Sequence, residues 1–405
     1  MIKPLSGITV IDLSRALAGP YCTALLADMG AKVIKVESIN GGDTARQWPP
    51  FQDEHSLYFD SVNRNKESLC LDFYSSAGKE IIHKLLTTAD VLVENFKPGT
   101  LDKLGLTNER IKELNPQLVI ASVSGFGNAG PLRDNAGLDQ VVQGMSGLTS
   151  VTGSDSENTF RVGVPIVDIT SGMICAFGIA SALAGRHTGQ YVDRVSTSLL
   201  ETALSLSVFQ GQRALSEGEA PSPQGNNHPV ITPYGTYRTA TDSITIAVGT
   251  ERQWHDFCSI LDLQILLDDQ RFLSGRDRSA NRNQLAELIE ARLATKDAEQ
   301  WMALISQAGI PCGPIYNYKQ AVSTDQVAAL KMVHQTQRRD GTSLPLLRGP
   351  LSLNDQPSEI QSSPPTLGQH SVEVLRELGL SDAQIFRLRE DGVLKIGHET
   401  TGAKR

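Results

Sequence analysis

A basic excess is missing from this chain, since 37 Lys and Arg stand against 45 Asp and Glu for a net charge of −8. A nucleic-acid partner would need a positive stripe to neutralise phosphates, so none is expected. Paired cysteines are missing too. Cys22, Cys70, Cys175, Cys258 and Cys312 lie far apart, which leaves no basis for a disulfide framework or a zinc site and points to reduced thiols in the cytoplasm. Eight histidines (His55, His83, His187, His228, His255, His334, His370 and His398) never fall at a ligand spacing such as i, i+4. No metal centre is therefore expected. A Gly-x-Ser-x-Gly elbow is absent, which removes the main signal for a Ser-His-Asp hydrolase. The N-terminus lacks the apolar core of a signal peptide. The longest uncharged apolar run, 169–185, is broken by Gly and Ser and falls short of a bilayer's thickness, so it is read as a buried helix and no membrane partner is expected. There is no internal repeat or low-complexity region.

What is present suggests two domains, because 405 residues exceed what one core usually supports. The first part alternates strands and helices. Strands are predicted at 7–13, 32–37, 68–71, 91–94 and 118–123, with helices at 20–29, 77–87 and 108–114. That alternation means a doubly wound, mostly parallel α/β layer. Ligands bind such sheets beyond the C-terminal strand ends, where the polar loops 14–20, 63–66, 94–99 and 124–131 would gather. Lys66, Lys97 and Lys103 lie in or after these loops, and each reads either as a phosphate contact or as a solvated lysine. The loop 124–131 contains a literal G-x-G-x-x-G. A dinucleotide fingerprint requires its glycines to open a helix directly, and 132–137 reads as loop instead.

Further along, 193–198 is strand-like and 199–207 helical, and the polar stretch 216–229 has linker composition. Beyond it, paired strands at 234–238 and 243–248 and helices at 251–261, 282–294 and 298–308 suggest a smaller α+β domain. Two more strands, near 330–339 and 349–353, and a helix at 371–378 close the chain.

Asp168 stands at a junction between an apolar run, 164–167, that reads as a short buried strand or extended segment, and a small-residue helix from 169. Two readings are open. The carboxylate caps the helix, or it is a nucleophile that a substrate can reach. They are compatible, because a helix N-terminus would hold the carboxylate ionised and fix its direction.

Taken together, these segments resemble the family III CoA transferases, a group that includes the α-methylacyl-CoA racemases. The resemblance is carried by Asp12-Leu13-Ser14-Arg15 with Ala18-Gly19-Pro20, Gly30-Ala31, Asn65-Lys66, Glu94-Asn95-Phe96 with Pro98-Gly99, and Gly125-Phe126-Gly127. It continues through Gly137-Leu138-Asp139, Asp168 before Gly172, 309–314, and Leu367-Gly368-Gln369-His370. It implies a Rossmann-like large domain built from both chain ends (1–205 and 325–405), a linker (206–229) and a small domain (230–324), in an interlocked homodimer.

The resemblance also implies an acyl-CoA:carboxylate CoA-transferase with Asp168 as the catalytic nucleophile and no permanently bound cofactor. Its substrates would be a coenzyme A thioester and a small carboxylic acid, a dicarboxylic acid among the options. Implied CoA contacts are Arg15, Leu17, Ala18, Lys66, Asn95, Phe96, Lys103, Phe126 and Gly127. Oxyanion donors are expected beside Gly19 and at the helix start after Asp168. The segment Gly225-Asn226-Asn227-His228 is the implied lid, although His228 read by itself is a solvated linker histidine. Arg46, Arg64 and Arg161 are candidates for pairing with a second carboxylate. Two departures narrow the activity. Leu17 stands where formyl-CoA transferases carry glutamine, and Leu138 stands where racemases carry their histidine. A racemase needs acid and base on opposite faces of the α-carbon, so the racemase is the alternative and a nicotinamide dehydrogenase a distant third.

Overall fold

Apolar runs, most of them β-branched, form the strands of the predicted layer: β1 Thr9–Asp12, β2 Lys32–Ser38, then, after a separate short hairpin of β3 Phe51–Gln52 and β4 His55–Ser56, β5 Lys66–Leu71, β6 Val91–Glu94, β7 Val119–Ser124 and β8 Arg194–Ser198. The computed structural model describes residues 2–218 and 220–397, so Glu219 and His398 lie outside the described residues. The main sheet runs β5-β2-β1-β6-β7-β8, all parallel, and the strand Leu394–Lys395 adds antiparallel to β5 at one edge. Strand order reverses between β1 and β6. That crevice is where a doubly wound sheet takes its ligand.

Both faces of the sheet are covered, which is why its strands read as near-continuous apolar runs. The helices are α1 Ala18–Asp28, α2 Leu57–Ser61, α3 Ser76–Thr88, α4 Thr100–Lys103, α5 Asn108–Leu114, α6 Asp139–Met145, α7 Ile166–Arg186, α8 Leu199–Leu206 and α9 Val208–Glu217. Val10, Val33, Val91 and Val119 pack against Cys22 and Leu26 of α1 and Cys175 and Ile179 of α7. On the opposite face Ile11, Ile34, Leu69 and Leu92 meet Ile82, Leu85 and Leu86 of α3, together with Val374, Leu375 and Ile385 from the end of the chain. The Gly368-Gln369-His370 segment ties that tail to the sheet. Ser68 N donates to His370 Nδ1 at 3.1 Å, His370 N donates to Ser68 O, and Cys70 N donates to Ser371 Oγ.

Several expectations are corrected. Residues 164–167 are not a strand, because α7 begins at Ile166 behind Pro165. Proline cannot donate to a ladder but suits a helix start. The resulting α7 is 21 residues with mean hydropathy 1.8, long and apolar enough to cross a membrane, not shorter. Here it lies against α1, β7 and β8 as a core helix does. Lys66 opens β5 instead of sitting in a loop. The predicted linker 206–229 contains helix α9, whose Val208, Phe209 and Leu215 do not fit a polar spacer. The helix Asp382–Glu390 went unpredicted, having one buried residue, Ile385, to mark its face. Glycines 125–130 open no helix, so the dinucleotide fingerprint lacks its context.

Two compact units emerge: 2–148 with 161–215 and 325–397, and 149–160 with 216–324 less Glu219. Residues 149–160 thus depart from the large domain expected for them. Their Gly153 bridges Thr159 and accepts from Gly225 N, which anchors them to the second unit. In that unit β9 Tyr234–Arg238, β10 Ser243–Ala247 and β11 Cys312–Pro314 form an antiparallel sheet against helices that bury Trp254, Phe257, Leu285 and Trp301.

Gly172 sets how close α1 and α7 come. A Cβ built there would stand 2.6 Å from Ala18 O. Gly172→Ala should therefore force the helices apart and destabilise the first unit by about 1–3 kcal/mol. Thermal unfolding checks this, and an unchanged Tm would contradict it.

Candidate active site

Asp168 is the third residue of α7, and it does not cap the helix. Asp139, the first residue of α6, takes that role. Its Oδ2 accepts from Val167 N at 2.8 Å and Asp168 N at 3.2 Å. Its Oδ1 accepts from Gln143 Nε2 at 2.6 Å, and Gln143 Oε1 accepts from Val162 N at 2.8 Å. The first-turn N–H groups, which a helix cannot satisfy internally, are thus consumed by a neighbour. Among the described residues the Asp168 carboxylate accepts no hydrogen bond. Burial and, second, the charge of Asp139 push its pKa up to about 7. Against the expectation that the helix N-terminus would hold this carboxylate ionised, desolvation and the like charge of Asp139 favour its neutral form.

Asp168 lines a cavity of about 890 Å³ within the first unit. Arg15, Leu17, Ala18, Asn95 and Phe96 line it as well, from the loops after β1 and β6 that flank the sheet's switch point. Asn95 joins the two loops, accepting from Arg15 N at 2.9 Å and donating to Arg15 O at 2.8 Å. The Arg15 guanidinium lies 5.0 Å from the centre of the Phe96 ring. The start of α1 also faces the cavity through Leu17 and Ala18, with no side-chain cap. Its first-turn N–H groups are left without intrahelical acceptors, a local positive end for an anion or a developing oxyanion. The other donors, expected at the helix start after Asp168, are engaged within α7, since Ile169 N donates to Pro165 O, while Asp139 takes the N–H groups of Val167 and Asp168.

Of the remaining candidates, all but Lys97 and Arg161 fall outside the lining. Lys66 is 2% exposed, its Nζ within 2.8 Å of Pro20 O and Asn63 Oδ1 and 3.2 Å of Asp12 Oδ2. It is a buried strut with no reach to a phosphate. Lys103, at the end of α4, lies outside the lining. Phe126 packs on the core, and Gly127 turns at φ +92 with its N–H on Ser124 Oγ. Arg46 is held bidentate by Glu37, and Arg64 by buried Asp28, so neither is free for a substrate. Arg161 lines the cavity. Gly225, Asn226, Asn227 and His228 belong to the second unit. There the His228 ring stacks on Tyr234, and its Nδ1 accepts from Val230 N and Ile231 N, so it is no solvated linker histidine.

Sequence reasoning missed Trp48, Tyr58, Tyr74 and Arg133 in the lining, and it gave Asp139 no role. Trp48 meets Tyr58 edge-on at 5.0 Å. The Tyr58 phenol is pushed up by burial and by the facing charges of Asp168 and Asp139. Their signal was faint: an aromatic cluster in an irregular excursion between strands, and an acid four residues before a glutamine.

The profile of CoA-transferase family III matches residues 5–371. The chain belongs to this family. It is 37% identical to an acyl-CoA transferase of Fusarium pseudograminearum over 96% of this chain and 88% of that protein. It is 35% identical to the succinate–glutarate CoA-transferase of Agrobacterium fabrum over 93% and 96%. The crystal structure of a CAIB/BAIF family protein from Brucella suis superposes with a TM-score of 0.82 at 34% identity, covering 93% of this chain and 100% of that one. The protein is accordingly a CoA-transferase, and these relatives do not favour the racemase alternative.

If Asp168 reacts as its anion, kcat/KM should rise with pH through about 7 and level off above it. Asp139→Asn keeps an acceptor for α7 but removes the like charge, so the rising limb should move to lower pH by about one unit or less. A limb that stays in place would reduce Asp139 to a structural cap.

Proposed function

We propose that the protein moves coenzyme A between carboxylic acids through covalent intermediates on Asp168. The observation that carries this is a carboxylate with no hydrogen bond among the described residues, its pKa raised to about 7 by burial and Asp139, in a cavity large enough for an acyl-CoA. Desolvation makes such an anion a stronger nucleophile than one in water. Its oxygen attacks the thioester carbonyl, the C–S bond breaks, and an acyl-aspartyl anhydride forms as CoA thiolate leaves. The thiolate attacks the aspartyl carbonyl, releasing the donor carboxylate and leaving an aspartyl-CoA thioester. The acceptor carboxylate attacks that thioester and expels the thiolate. The thiolate then takes the acceptor's acyl carbon, and Asp168 is restored. The unpaired N–H groups at the start of α1 are the candidate donors for the oxyanions.

The acceptor fits a dicarboxylic acid. Arg161 and Arg133 line the same cavity as Asp168 and present guanidinium groups suited to a second carboxylate. The succinate–glutarate relative from Agrobacterium fabrum supports this reading. Arg161→Met should raise KM for a dicarboxylic acceptor by about tenfold and leave a monocarboxylic one unchanged. Equal effects on both would reject the pairing.

The working unit is a homodimer. On the first unit Val141, Met145, Met173, Ile174, Phe177, Leu204 and Val208 are exposed, Phe177 and Val208 each at 72%. An apolar surface of this kind needs a cover, and a second copy supplies it, interlocked through the segments that pass between the units. Asp168→Asn should abolish CoA exchange by at least about 10³-fold while still sedimenting as a dimer. Retained turnover would place the nucleophile elsewhere, and a wild-type monomer would refute the assembly.

A further inference from the structure

The loop after β1 is held from beneath by charged groups that line no part of the cavity. Ser14 N and Oγ donate to Asp12, Lys35 Nζ donates to Ser14 O at 2.8 Å, and Asn95 takes both polar backbone groups of Arg15. Ala16 adopts φ +65, a left-handed conformation that a residue with a Cβ disfavours. Such an outlier persists only where its surroundings over-determine it. The surrounding group is Asp43, 1% exposed, whose Oδ1 accepts from Ala16 N at 2.9 Å and from Ala45 N at 3.0 Å. Its Oδ2 stands 2.9 Å from Lys35 Nζ, and its own N–H donates to Glu37 Oε2. This buried carboxylate is paired with Lys35, and the backbone turn it grips carries Arg15 and Leu17 on either side.

We infer that Asp43 is a positioning residue of the enzyme: by accepting the Ala16 N–H it locks the left-handed turn that sets Arg15 and Leu17 at the cavity wall, where the acyl-CoA is received. This rests on the reading of the cavity as the acyl-CoA site. Asp43 touches no cavity surface and acts through Ala16, so its loss should weaken CoA binding more than the chemical step.

The test compares Asp43→Ala, Asp43→Asn and the double variant Asp43→Ala/Ala16→Gly, reading KM and kcat together with calorimetric binding of free coenzyme A. Asp43→Ala should raise both KM for acyl-CoA and the Kd for coenzyme A by about tenfold, with kcat changed less than about threefold. Glycine enters the left-handed region without penalty, so the double variant should recover most of the lost affinity. Asp43→Asn keeps an oxygen for the Ala16 N–H and should bind within about threefold of wild type, at a lower Tm from the lost Lys35 pair. Unchanged affinity in Asp43→Ala, or no recovery with glycine, overturns the inference. Should Asp43→Ala fail to fold, Asp43→Asn decides alone, since a tenfold loss there would mean that charge, not the backbone acceptor, matters. Absence of turnover in wild type would reject the covalent mechanism instead, a result separate from the CoA affinities.

Discussion

The site depends on one displacement: Asp139, and not Asp168, satisfies the first turn of α7. Helix starts require acceptors, and an aspartate three residues into a helix would ordinarily serve as one. Because α6 delivers another carboxylate to those N–H groups, the Asp168 carboxylate accepts no hydrogen bond among the described residues. The same neighbour raises its basicity by charge. Gln143 extends the arrangement to Val162 N, so the approach to α7 is fixed on both sides of Pro165. A single contact therefore aligns the helix, frees the carboxylate and tunes it.

Around this centre the fold separates holding from reacting. Charged groups that the sequence offers as ligand contacts, Lys66, Arg46 and Arg64, are consumed in buried pairs with Asp12, Glu37 and Asp28. Burying a charge is costly unless it is paired, so these residues are committed to the scaffold. What they support is a stiff rim: Lys66 reaches Pro20 O, Lys35 reaches Ser14 O, and Asn95 clamps Arg15. The proposed anhydride chemistry would need such a rim, because a reactive acyl group must meet the thiolate before it meets water.

The closing segment of the chain serves the same end from the far edge of the sheet. Ser68 bonds both Glu37 and the Gly368–His370 turn, which makes the tail part of the first unit's core instead of an appendage. That explains why 367–370 forms a distinct motif without contributing to the cavity.

Much of this was legible in the residues. Parallel strands covered on both faces must be apolar throughout, so β1, β2, β6 and β7 announced themselves, and the loops after them were expected to gather; the crevice between β1 and β6 where Arg15 and Asn95 meet came from the strand order. Asp168 was marked by its place before an uncharged helix. Only the tertiary structure decided what that aspartate does, because capping depends on which acceptor arrives in space, and Asp139 lies 29 residues away. The same holds for Lys66 against Lys97. Both lie near strand ends in the chain, yet one is sealed beneath Pro20 and the other lines the cavity, since burial is a property of the packed layers and not of local sequence.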